Sequence, residues 1–158
     1  MNPIFNSILA FIKKEGWACK EFPETTSAFV NLKAQNGAWV GLLQSREKEE
    51  QVIFYSVCPF PVPFESRYPI AEFITIVNNE ILMGNFMMDF NDGELKYKTM
   101  AILEKDKTPS VELLKKLVYG NILVMDQFLP AIVDIINLDV SPIQAFQKVT
   151  TVREENAS

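Results

Sequence analysis

A chain of 158 residues, 48% apolar and 11% aromatic, suits a single domain that buries about 70% of its unfolded surface, and it is too hydrophobic to stay disordered. Its 15 Lys and Arg stand against 20 Asp and Glu, a net charge of −5, which argues against a nucleic-acid binder that works by neutralising phosphates. The absence of His removes the commonest general base and the commonest metal ligand, so most enzyme and metalloprotein readings fall away.

Asn2-Pro3 opens a first helix over residues 3–15, with Asn2 as cap and proline at the first helical position. Ile4, Ile8, Phe11 and Ile12 recur at helical spacing, and Gly16 supplies the stop. This stretch is not expected to act as a signal peptide, because no basic residues precede its apolar run and no small-residue cleavage site follows. From residue 17 the period changes to two. Trp17 to Phe22 forms a first strand ended by Pro23, and Phe29–Gln35 and Ala38–Gln44 flank Asn36-Gly37. A tight two-residue turn there pairs Ala34 with Trp39, Leu32 with Gly41 and Val30 with Leu43, all on one face. Arg46 to Glu50 is a solvated loop, and Gln51 to Cys58 is a fourth strand rich in β-branched and aromatic residues.

Pro59 to Pro63 is a stiff connector without a P-x-x-P pattern. Ile70, Phe73, Ile74, Val77 and Ile81 mark a second helix, with Pro69 tolerated in its first turn. Gly84–Phe90 and Glu94–Ile102 then make a second hairpin across Asp92-Gly93. A tight turn there pairs Phe90 with Leu95 and Met88 with Tyr97, and sets Asp89 opposite Lys96. Thr108-Pro109 caps a long helix running to Ile136, kinked or split at Pro130. Its Asp126 and Asp134 would each cost about 2.5–3.5 kcal/mol near a bilayer centre, so it is expected to be a buried helix rather than a membrane span. Ser141-Pro142 starts a last helix. Residues 1–150 are expected to form one domain and residues 151–158 a flexible polar tail.

The resulting order is α-β-β-β-β-α-β-β-α-α. Short hairpins imply antiparallel pairing, so the class is α+β, with about six strands in one sheet and helices packed on it. The glycines are isolated, which excludes a dinucleotide fingerprint and a phosphate loop. Asp89, Asn91 and Asp92 do not fit a calcium loop, since the obligatory glycine falls on Glu94 and the bidentate acid on Met100. Cys19 and Cys58 have no base to activate them and are expected to be reduced, small buried residues. No catalytic residue, cofactor or metal ligand is expected. What remains is an apolar surplus. Trp39, Phe54, Phe86 and Phe90 are the candidate interaction surface, because one helix layer leaves a sheet face for a second copy or a partner to cover.

From Asn78-Asn79 through Met83-Gly84-Asn85-Phe86 to Asp89, Asp92-Gly93 and Leu95-Lys96-Tyr97-Lys98, the chain resembles the YbjN family of bacterial proteins. That family shows an Asn after the central helix, a Gly-x-Phe strand, an acidic-Gly turn and an aromatic-basic pair, here Tyr97-Lys98. Phe54-Tyr55, Pro61-Val62-Pro63 and Arg67 also look like its strand, connector and helix start. The resemblance implies a fold similar to type III secretion chaperones, an α+β sandwich that dimerises and binds other polypeptides. It also implies a sensory-transduction label that assigns no chemistry and no catalytic residue. The expected function is therefore non-catalytic: a cytoplasmic, chaperone-like or regulatory homodimer that binds a protein partner, and neither nucleic acid nor membrane. The alternative is a small-ligand sensor or an enzyme with a pocket between the long C-terminal helix and the sheet.

Overall fold

The change of period along the chain becomes a change of layer in the fold. The structure, a computed structural model, describes residues 1–157, with side chains through Thr151. The elements are α1 (Pro3–Glu15), β1 (Cys19–Phe22), β2 (Ser27–Lys33), β3 (Ala38–Arg46), β4 (Gln51–Val57), α2 (Arg67–Glu80), β5 (Asn85–Met88), β6 (Leu95–Ile102), α3 (Val111–Leu138) and α4 (Pro142–Ala157). Their order is the one the sequence predicts. Helix α4 carries the backbone beyond residue 150; the side chains of the expected tail from residue 152 onward lie outside the described residues.

The six strands form one antiparallel sheet in the order β1-β2-β3-β4-β6-β5. Helix α3 lies across β4 and β6 and α1 against β3, while α2 and α4 pack on each other beside β5. The alternate strand residues beneath the helices (Val30, Leu43, Phe54 and Tyr97 among them) are buried, as is the α3 stripe of Leu114, Val118, Met125 and Ile132. Each fully buried side chain of this size contributes about 1.5–3 kcal/mol relative to exposure. Aromatic contacts tie the layers at one end, where Phe128 of α3 meets Phe73, Phe86 and Phe146 at 6.1–6.3 Å between ring centroids. Although α3 is long and apolar enough to cross a membrane, its buried stripe serves as the core of the domain.

Helix ends are held by residues that local sequence does not reveal. Asn2 makes no side-chain cap. Glu47, from the charged loop after β3, accepts instead from the Ile4 and Phe5 amides at 3.2 and 2.9 Å, a carboxylate placed at the positive end of the helix. For α3 the cap is Ser110, whose hydroxyl accepts from the Leu113 amide at 3.0 Å, rather than Thr108.

Helix α3 does not split at Pro130 but runs unbroken for 28 residues. Proline has no N–H to offer the carbonyl four residues back, and that carbonyl, on Asp126, is taken by the Asn36 side-chain amide at 2.9 Å. The Asp126 carboxylate also accepts from the Asn36 backbone N–H at 2.6 Å. This double tie reshapes the β2–β3 hairpin. A tight Asn-Gly turn needs positive φ at both residues, and neither Asn36 nor Gly37 has it. The loop takes four residues instead, closed by the Ala34 N–H donating to Gly37 O at 2.8 Å. The register becomes Leu32↔Trp39, Val30↔Gly41 and Ala28↔Leu43, two residues away from the predicted pairing. Because the slip is even, every side chain keeps its face.

The second hairpin departs in the same way. Phe86 pairs with Tyr97, Met88 with Leu95 and Met87, not Asp89, with Lys96. Asp89 and Asp92 are committed to the turn, accepting from the Asn91 and Glu94 amides at 2.8 Å each. Lys96 pairs with Glu94 at 3.1 Å.

Candidate interaction surface

Of the four aromatics expected to form a surface, three belong to the core. Trp39 is 4% exposed, Phe54 0% and Phe86 2%, whereas Phe90 is 47% exposed. The parity of the strands explains this: Trp39, Phe54 and Phe86 point toward the helices. The indole N–H of Trp39 is satisfied there by Ser56 Oγ at 2.9 Å. Phe90 lies beyond the end of β5, 5.5 Å from Tyr68 between ring centroids. The expected set is therefore not brought together.

Among the described residues no helix lies over the opposite sheet face. Its centre is apolar: Phe29, Val40, Met87 and Met100 are 36–39% exposed and Ile102 is 73% exposed. Leu42, Tyr55 and Val57 lie half-buried between them. Alternation sorts the strand residues into two faces without saying which of the two the helices cover, and a preference for large aromatics points to the covered one. The charges on this face share one sign. Lys20, Lys33, Arg46, Lys96 and Lys98 occupy its strand positions, and no Asp or Glu does. Arg46 and Lys96 are paired with loop carboxylates of Glu49 and Glu94. Lys20, Lys33 and Lys98 have no ion pair among the described residues. Two of the cations sit over rings of the same face, Lys20 5.2 Å from the Phe22 centroid and Lys96 5.1 Å from that of Tyr55. At the hairpin end the face runs into a shallow cleft of about 480 Å³ lined by Asn31, Val40, Val57 and Pro59.

The two thiols differ. Cys58 is buried, and burial pushes its thiol up to about 11, partly offset by a backbone hydrogen bond from Phe60. At neutral pH it is a neutral thiol and a poor nucleophile. Cys19, expected to be buried, is exposed, since β1 is the edge of the sheet. Neither forms a disulfide.

The motif residues that carry the family resemblance turn out to hold the β5 edge. Asn78 makes a reciprocal pair with Phe86, accepting from its N–H at 2.7 Å and donating to its carbonyl at 3.0 Å. The Tyr97 hydroxyl donates to Met83 O. Gly93, at φ 78°, lets Val62 of the proline connector come so close that a Cβ would stand 2.2 Å from Val62 O. Arg67 closes the arrangement, donating to Val62 O at 3.1 Å and Phe90 O at 2.7 Å. These are architectural contacts. They clasp the second hairpin to the connector and to α2.

Residues 5–134 match the YbjN family, described as "Putative bacterial sensory transduction regulator". Among solved structures, the crystal structure of E. coli YbjN, described as "a putative transcription regulator", is similar with a TM-score of 0.57 at 13% identity, covering 77% of this chain and 84% of that one. The HopA1–SchA chaperone–effector complex includes a chain that aligns with a TM-score of 0.49 at 16% identity, covering 78% of this chain and 91% of that one. No curated protein matches. With the match spanning most of its length and the same α+β architecture seen in E. coli YbjN, the chain belongs to the YbjN family.

Proposed function

We propose that the chain is a non-catalytic interaction protein of regulatory or chaperone-like type, cytoplasmic, which binds a polypeptide partner across the uncovered sheet face. The observation that carries this reading is that face itself, an apolar sheet surface left without a helix layer. Contiguous exposed apolar surface of several hundred Å² on a folded chain marks an interaction site. The family's regulator description supports the same class of role. The high thiol pKa of Cys58 supports the non-catalytic half of the reading, since the side chain stays protonated at physiological pH. The chain also pairs with a second copy, through the helix side, where Leu82, Met83, Tyr119 and Leu123 are exposed.

A photo-crosslinking residue at Met100, on the open face, tests this in living cells of the source bacterium. Thr75, exposed on α2, is the control position. Adducts with a different polypeptide are expected from position 100 and not from position 75. Crosslinking in neither position, with the protein folded and abundant, overturns the reading.

A further inference from the structure

Accepting the open sheet face as the partner-binding surface, we propose that its occupant is an acidic polypeptide segment bearing apolar side chains. The argument rests on how the charge is distributed. The chain as a whole is acidic, at −5, yet none of its Asp or Glu lies on a strand position of this face, and Lys20, Lys33, Arg46, Lys96 and Lys98 all do. Three of those cations lack an ion pair among the described residues. Between them lie Val40, Leu42, Tyr55 and Met100, which offer apolar contact. A ligand that answers both features presents carboxylates around an apolar centre. Complementary charge of this kind sets specificity and association rate more than affinity.

Three other occupants fit less well. A second copy meeting this face about a two-fold axis opposes the same lysines to one another. Duplex or single-stranded nucleic acid and an anionic membrane are extended polyanions, which meet the acidic remainder of the chain as well as the basic face. A short peptide that stays on the face lies within about 8 Å, the Debye length at physiological salt, of the lysines it contacts. The local sign therefore governs its binding.

The experiment uses the full chain and a fluorescein-labelled amphipathic peptide of about 18 residues made of Leu and Glu, beside a counterpart with every Glu replaced by Lys. Anisotropy titrations are run on the native protein, on Lys33→Glu/Lys98→Glu, and on the milder Lys33→Gln/Lys98→Gln. Circular dichroism confirms that each variant is folded. The Glu peptide is expected to bind and the Lys peptide not. The reversal variant is expected to weaken the Glu peptide about tenfold, an effect of about 1.4 kcal/mol, with the Gln variant between the two. Equal binding of both peptides, unchanged by the reversal, overturns the acidic assignment and leaves the interaction surface standing. Binding of neither peptide also overturns it, and crosslinking from position 100 then decides the surface separately. Tighter binding to an oligonucleotide, or to phosphatidylcholine vesicles holding about 30% phosphatidylserine, assigns the face to another class of partner and overturns the inference.

Discussion

At the scale of single residues, burial decides chemistry. The ordinary thiol value of 9.0 rises to about 11 for Cys58, and the ordinary phenol value of 10.0 rises to about 12 for Tyr97, both through desolvation. Each group holds its proton more tightly in the folded chain than in the unfolded one. Their contribution to stability is therefore complete below pH 9 and is lost as pH rises through 11 and then 12. Urea midpoints measured from pH 8 upward are expected to fall over that window, and Cys58→Ser should flatten its lower part. In the native protein a thiol reagent should titrate Cys19 at once and Cys58 only on unfolding; equal rates would contradict the burial. Asn121 shows what a residue can conceal. In the sequence it is a polar break in an apolar run. In the fold it is wholly buried, and its amide donates to Phe54 O at 3.2 Å and Tyr97 O at 3.0 Å, pinning α3 to the sheet between β4 and β6. Nothing local to residue 121 identifies those partners.

At the scale of elements, helical and strand periods were legible almost throughout, because each element buries one face and its sequence repeats accordingly. Helix α1 has the predicted bounds, and β4 ends one residue early. Partners contributed from afar were not legible. Glu47 reads as one more charge in a loop, yet it caps a helix more than forty residues away. Both hairpins carry strong tight-turn dipeptides, and both are opened by contacts from outside the hairpin: Asp126 for the first, Val62 and Arg67 for the second. Gly93 tests the second case. Alanine there must adopt φ near 78° and place its Cβ against a backbone carbonyl that cannot swing aside. Gly93→Ala is expected to cost about 3 kcal/mol in urea unfolding, with the damage centred on the connector and the β5–β6 turn. A change within ±0.5 kcal/mol, the range of an ordinary surface substitution, would show that the clasp does not bear on stability.

At the scale of the whole molecule, the α+β class, strand number and family were within reach of the sequence, but which sheet face the helices leave open was not. Large aromatics in the strands suggest a surface, and the core claims three of the four. The open face is built from middling residues whose exposure follows only from where the helices sit. Self-association is the property to measure at this scale. If the chain pairs through its helix side as proposed, its 18.0 kDa should scatter light as a dimer of about twice that mass from high to low micromolar concentration. Obligate dimers bury more than about 2,000 Å² and survive such dilution. Lys33→Glu/Lys98→Glu should leave that mass unchanged, since the lysines lie on the other side. A persistent monomer would remove the dimer and leave the sheet face as the sole interface.

The tie between Asn36 and Asp126 spans 90 residues of chain, and it bears on the order in which the molecule can assemble. Until α3 has docked, nothing holds Asn36 out of a tight turn. Residues 27–46 alone carry a dipeptide that favours one pairing, whereas the finished domain contains another. Both pairings put the same side chains on the same face, so early collapse has no means of telling them apart. A helix synthesised after the whole sheet is thus what sets the alignment of two strands made much earlier. A synthetic peptide of residues 27–46 should show, by nuclear Overhauser contacts, Val30 beside Leu43. In the full chain the same experiment should find Ala28 there. If the peptide already shows the native alignment, the helix merely receives the hairpin and does not set it.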